Sequence, residues 1–230
     1  MKSGELQNHV FATYVSLRLG MAVIAIVFPL LLWAGGAMQG VVLQDSMSAY
    51  YHAVFADKSM RNWFVGLLFA LGILLHLYKG FSKQENIALN LAGFFAVGVA
   101  LIPMEWGCGD VCKKITLHGI CAISLFLCIA YVCIFRASDT LRLLKNKVLQ
   151  ARYRRIYTLI GVGMVLSPLI AVLMTVIFRQ FESYTFFAEA AGIWIFASYW
   201  LVKSYELSST NAERRVLRGK IRINQTGQLH

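Results

Sequence analysis

Charge is scarce in this sequence. Only 14% of its 230 residues are Asp, Glu, Lys or Arg, against about 25% in an average soluble domain. With 58% of residues hydrophobic and a mean hydropathy of +0.62, the chain carries more apolar surface than one water-soluble core can hide. An ordinary soluble domain is excluded. The short motifs that announce common chemistries are missing too. There is no Gly-rich nucleotide loop, no Rossmann fingerprint and no haem-attachment motif. There is no HExxH and no His-x3-His pair. No internal repeat or low-complexity tract breaks the pattern, and no linker is long enough to set off a second domain.

What is present is a series of long apolar runs. About 20 apolar residues are needed to cross about 30 Å of hydrocarbon as a helix. Six stretches approach that length: 19–38, 62–79, 87–104, 115–135, 156–178 and 184–205. They predict an all-α, polytopic membrane protein with six transmembrane helices and a short outer interfacial helix. Residues 1–206 form the transmembrane domain in this reading, and 207–230 a basic cytoplasmic tail. Pro29 and Pro168 should bend the first and fifth spans. The first span is expected to remain uncleaved, because no small-x-small site separates it from polar mature sequence.

A net charge of +11 is read as membrane topology, with no nucleic-acid partner expected. Basic residues gather on the cytoplasmic side, where anionic headgroups attract them. With both termini inside, Lys58, Arg61, Lys113, Lys114 and Arg179 fall in outer segments and every other Lys and Arg in inner ones. The inner stretch SDTLRLLKNKVLQARYRR (138–155) places Leu141, Leu144, Val148 and Leu149 near one helical face. That predicts a helix lying on anionic lipid.

Small residues suggest close helix contacts. Ala92, Ala96 and Ala100 recur at steps of four, beside Gly93 and Gly98, and Gly66 and Ala70 lie in the second span. Such stripes serve bundle packing or a homo-oligomer seam alike. Cys121, Cys128 and Cys133 read as small core residues. Cys108 and Cys112 lie in the outer loop EWGCGDVCKK. In an oxidising space they would form a local disulfide; otherwise they are two free thiols.

The most informative stretch is DSMSAYYHAVFADKSMR, residues 45–61. Met47, Tyr50, Tyr51, Val54 and Phe55 follow an amphipathic helical pattern, with Asp45 or Ser46 as N-cap. On that helix Asp45, Ser48 and His52 would share a face. His118, near the start of the fourth span, and Glu189, inside the sixth, come to similar depth. An ionisable residue within a span is costly and marks a functional site by default. With Arg61 and Glu105 at adjacent span ends, these residues define a candidate outer-leaflet pocket, in which Glu189 could pair with Arg61 or His118. His52, His118 and Glu189 would make a zinc-type set of two His and one acid. In that reading zinc polarises a carbonyl and activates water, and Ser48, His52 and Glu189 are the candidate catalytic groups.

SAYYHA (48–53) is similar to the Ser-x3-His element of the alkaline ceramidase and progestin-receptor superfamily of membrane hydrolases. The resemblance implies that His52 is a metal ligand and Ser48 an active-site hydroxyl. That family has seven spans and a late His-x3-His pair; this chain is read with six and lacks the pair. More of the chain resembles uncharacterised bacterial multi-pass inner-membrane proteins. The segments are DSMSAYYH, RNWFVGLLFALGILLHLYKG, NLAGFFAVGVALIP, LHGICAISLF and EAAGIWIFASYWLVKSYEL. This resemblance implies a bacterial inner-membrane location and no particular activity. Three functions therefore compete. The first is a structural, sensory or ligand-binding membrane protein with an outer-leaflet polar pocket. The second is a metal-dependent hydrolase of a lipid or small amphiphile. The third is a channel or transporter. For topology, a reporter active only in the cytoplasm should work when fused after Arg155 and fail when inserted at Lys58; the opposite result would reverse the orientation.

Overall fold

Each apolar run folds as a helix, the structure that satisfies its own backbone groups without water. The computed structural model describes residues 3–55, 58–107, 116–144, 146–177 and 183–210. Its helices are α1 (Ser3–Met38), α2 (Arg61–Leu77), α3 (Lys83–Leu101), α4 (Leu117–Tyr131), α5 (Lys147–Ile177) and α6 (Tyr184–Thr210). Each packs on the next in sequence, and α6 packs back on α1, which closes the helices into a ring. The connection between α1 and α2 folds over one end of that ring, here called the capped end. The short connection between α2 and α3 marks the opposite end.

Local chemistry sets several helix starts. The Ser82 hydroxyl accepts the Glu85 N–H at 3.2 Å, and Glu85 Oε2 accepts the Phe81 N–H at 2.7 Å, a close relative of the capping box at the start of α3. Thr116 Oγ1 accepts the Gly119 N–H at 3.0 Å and opens α4. Asn146 Oδ1 accepts the Val148 N–H at 2.9 Å and opens α5. Phe186, in the first turn of α6, donates its N–H to the Asp45 carbonyl at 2.8 Å.

The structure departs from the sequence reading in four places. First, α1 starts at Ser3, far before the apolar run. The polar turns ahead of residue 19 also favour a helix, and Arg18 is fully buried in the bundle. Second, among the described residues five helices are long and apolar enough to cross a membrane, not six. At 17 residues, α2 is about 25 Å long, and it ends where Tyr78 turns extended. Third, residues 45–61 do not form an amphipathic α-helix. They form a single 3-10 turn, Ser48–Tyr51, and a two-residue antiparallel ladder of β1 (Val54–Phe55) with β2 (Lys58–Ser59). Fourth, 138–155 is not one surface helix. After α4 the chain continues as a π turn (Val132–Arg136) and a 3-10 segment (Ala137–Leu143) that buries Thr140 and Leu141. Only Val148 of the predicted apolar stripe is strongly exposed. Cys108 and Cys112 and the tail beyond Thr210 lie outside the described residues.

The small-residue stripe works inside the bundle. Ala92, Ala96 and Ala100 are buried, and Gly93 faces Gly72 across the α2–α3 contact. A Cβ on Gly93 would stand 2.6 Å from the Gly72 carbonyl oxygen, and one on Gly72 would stand 2.9 Å from the Gly93 oxygen. Backbone cannot yield as a side-chain tip can. Gly93→Ala should therefore force α2 and α3 apart and cost about 1–3 kcal/mol. A thermal melt in detergent should show a clear drop, whereas Gly66→Ala, with open space around its Cβ position, should melt like the parent.

Candidate functional site at the capped end

The α1–α2 connection is built into the end of the bundle and does not lie on it. Met47, Ala49, Tyr50 and Met60 are buried, and the Tyr50 ring packs on Phe186 with centroids 5.9 Å apart. Gly36 makes room for that ring, since a Cβ there would stand 2.9 Å from Tyr50 Cε1. Burial raises the Tyr50 phenol above its ordinary value, against a smaller opposing pull from the Gln44 backbone. The Ser46 hydroxyl accepts the Ala49 N–H at 3.0 Å, and the His52 N–H closes the turn on the Ala49 carbonyl at 2.9 Å. These contacts explain why helical periodicity fails here. The buried positions are chosen by what lies above and below the turn, and Val54, on the predicted apolar face, is exposed.

Three elements bring Ser48, His118 and Glu189 together. Glu189 Oε2, from α6, accepts the Met47 N–H at 2.6 Å, and the Ser48 N–H also bonds to this carboxylate. His118, from α4, makes two contacts. Its Nδ1 lies 2.7 Å from the Ile102 carbonyl oxygen and its Nε2 lies 3.0 Å from Ser48 Oγ. A carbonyl can only accept, so Nδ1 carries the proton and Nε2 of the neutral ring accepts from the Ser48 hydroxyl.

These groups line a cavity of about 460 Å³ between α4, α5, α6 and the 3-10 turn. Asp45, Glu105, His118 and Glu189 supply its polar lining, and Ile123, Phe126, Ala171 and Val172 its apolar wall. The Ser167 hydroxyl, beside Pro168, donates to the Ala188 carbonyl at 2.9 Å and ties α5 to α6 at the cavity wall. A smaller cavity of about 60 Å³ shares Ser48, Ala122, Phe126 and Glu189 with the first and leads into the bundle. A third, of about 20 Å³, continues past Leu68, Leu125 and Ile193.

The other predicted residues go elsewhere. His52 donates from Nε2 to the Met104 carbonyl at 3.0 Å and stacks on Trp106 at 5.5 Å. Arg61 turns to Tyr51: its Nε donates to the carbonyl at 3.3 Å and its guanidinium lies 4.5 Å from the ring centroid. Asp45 and Glu105 line the cavity, whereas His52 and Arg61 do not. The proposed zinc set does not assemble. Among the described residues no three His, Cys, Asp or Glu side chains converge closely enough to hold a metal ion. Both nitrogens of His118 already have partners, and His52 faces a backbone carbonyl. These residues do not fit a zinc centre.

Among the described residues, five helices long and apolar enough to cross a membrane mark the chain as a polytopic helical membrane protein. No family model, curated protein or solved structure matches the chain. The particular function has to be argued from the site.

A second polar cluster, at the opposite end, escaped the sequence reading. Lys203 and Glu206 are buried on α6. Lys203 Nζ donates to the Ala137 carbonyl at 3.1 Å, to Thr140 Oγ1 at 2.6 Å and to Glu206 Oε2 at 3.1 Å. Glu206 also accepts from the Thr140 hydroxyl and the Tyr157 hydroxyl, each at 2.6 Å. The pair sits three residues apart near the end of an apolar run, which reads as an inner-end charge in water. It is buried because the 3-10 segment after α4 folds across it. Removing one partner of a buried pair costs about 3–5 kcal/mol, while replacing both with apolar residues is often neutral. Lys203→Met should therefore lower the melting temperature strongly, and Lys203→Met with Glu206→Leu should recover much of the loss. A double variant no better than the single one would show that the pair is not energetically coupled.

Proposed function

We propose that this protein is a six-span bacterial inner-membrane protein, both termini cytoplasmic, that binds a single-chain amphiphile in a pocket at the outer leaflet. In this reading α2 is the sixth span. Its 17 residues sit at the lower limit of spanning length, and its neighbours α1 and α3 shield it on either side.

The observation that carries the binding reading is the division of the capped-end cavity. Its rim is polar and its wall apolar, in a volume of about 460 Å³, which is the size and chemistry of a small-ligand site. Ile123 and Val172 line the cavity and are well exposed, which suits an apolar tail that enters sideways from lipid. Among the described residues the rim carries Asp45, Glu105 and Glu189 and no Lys or Arg. That charge favours a head group that is cationic or rich in hydrogen-bond donors. Beyond Met47, Ser48 and Glu189, the cavities further in are lined by Leu, Ala, Phe, Ile and Val. They suit a hydrocarbon tail and offer no polar path for an ion, which disfavours a channel.

The test is equilibrium binding to the purified chain in nanodiscs, with fluorescent alkyl ammonium and alkyl sulfate amphiphiles of equal chain length. The ammonium compound should bind saturably and at least several-fold more tightly. Ala122→Trp, which fills the junction of the two larger cavities, should weaken it about tenfold or more, equivalent to about 1.4 kcal/mol. Binding no stronger than partition into empty nanodiscs, or unaffected by Ala122→Trp in a folded protein, would overturn the reading.

A further inference from the structure

We propose that Ser48 is a nucleophile activated by His118, and that the pocket cleaves the ester or amide bond of the amphiphile it binds. The proposal rests on the binding reading above and adds chemistry to it.

The geometry of the pair carries the argument. A serine hydroxyl becomes an effective nucleophile when a base lies within hydrogen-bond reach and a third group orients that base. Here His118 Nε2 lies 3.0 Å from Ser48 Oγ, and the Ile102 carbonyl, 2.7 Å from Nδ1, holds the ring in the tautomer whose Nε2 lone pair faces the hydroxyl. A backbone carbonyl fills the orienting position that a carboxylate occupies in other triads. Serine and base stand on rigid supports. Glu189 accepts the backbone N–H groups of Met47 and Ser48, and His118 lies in the first turn of α4, behind the Thr116 cap.

Position defines the substrate. Ser48 lines both the large cavity and the smaller apolar one, whereas His118 lines only the large one. The hydroxyl therefore stands at the junction of polar rim and apolar interior. A molecule with its head among Asp45, Glu105 and Glu189 and its tail toward Ala122, Leu125 and Ile193 would place its head–tail linkage beside Ser48. The matching class is a carboxylic ester or amide joining a fatty acyl chain to a cationic or hydrogen-bond-donating head.

The step balances with water alone. Ser48 Oγ forms a bond to the acyl carbon as its proton passes to His118 Nε2. The bond to the head group breaks, and His118 returns the proton to the leaving oxygen or nitrogen. Water then attacks the acyl-serine, with His118 again taking the proton. The fatty acid and the free hydroxyl of Ser48 result. No metal ion enters any step.

The experiment uses the full chain in nanodiscs, with two reagents. A fluorophosphonate, which loses fluoride as it bonds to an activated serine, reports the nucleophile. Decanoylcholine, a single-chain cationic ester, reports turnover. The wild-type protein should carry one phosphonate adduct, mapped to Ser48 by peptide mass spectrometry, and excess alkyl ammonium amphiphile should suppress it. Ser48→Ala should abolish the adduct. His118→Gln, which can still hydrogen-bond to Ser48, should slow labelling and hydrolysis on the order of 100-fold, the usual share of a general base. Ser198→Ala, whose hydroxyl bonds only within α6, should behave as wild type. Wild-type protein that melts cooperatively and binds the amphiphile, yet never labels at Ser48, would overturn the nucleophile and leave the binding reading standing. Labelling at Ser48 without saturable amphiphile binding would overturn the binding reading instead. Equal hydrolysis by wild type and Ser48→Ala would also refute the proposal. The competition arm needs no variant, so misfolding of a mutant cannot obscure the result.

Discussion

The capped end depends on one contact, the Glu189 carboxylate accepting the Met47 N–H at 2.6 Å. A carboxylate inside a helix bundle is tolerable only with hydrogen-bond donors around it. The 3-10 turn supplies them from its first backbone N–H groups, which have no partner within the turn. One interaction thus solves two problems, and in doing so it draws the α1–α2 connection into the bundle. Ser48 is thereby set beside His118, and Tyr50 against Phe186. The cavity is what remains between this turn and the three helices that face it.

The opposite end obeys the same constraint with a different solution. Lys203 and Glu206 are shielded from water, so every lone pair and proton must find a partner in the protein. Thr140, Tyr157 and the Ala137 carbonyl provide them. The partners come from the segment after α4 and from α5, and the network binds those elements to α6. Both ends of the ring are therefore closed by buried polar networks. The middle is held by apolar packing and by the close approach of Gly72 and Gly93. This division makes physical sense in lipid, where apolar contact alone gives little preference for one helix neighbour over another.

The two networks differ in what they leave open. At the opposite end the charged groups are enclosed by side chains, and the arrangement reads as a structural tie. At the capped end the Ser48 hydroxyl and the His118 ring border a cavity with an apolar wall and an acidic rim. A hydrogen-bonded serine and histidine next to empty space have a chemical capacity that an enclosed pair lacks. That contrast separates the site from the scaffold.

The helical membrane class was legible in the sequence, because hydropathy and helix length depend only on composition over a window of about 20 residues. Ser48, His118 and Glu189, which the structure brings together, stood out in the sequence as well, since polar residues beside or within apolar runs are rare. Their partners did not. Helical periodicity assigned His52 to the site through an amphipathic helix at 45–61, but tertiary contacts replaced that helix with a turn and sent His52 to Met104 and Trp106. Lys203 reads in the sequence only as one of the inner basic residues, and its burial with Glu206 follows from the chain beyond α4 folding across them. Sequence alone determined which segments must leave water, because transfer of apolar surface is a local and additive property. Only the tertiary structure decided which polar atoms meet, because a hydrogen bond requires two groups from distant parts of the chain to arrive within about 3 Å.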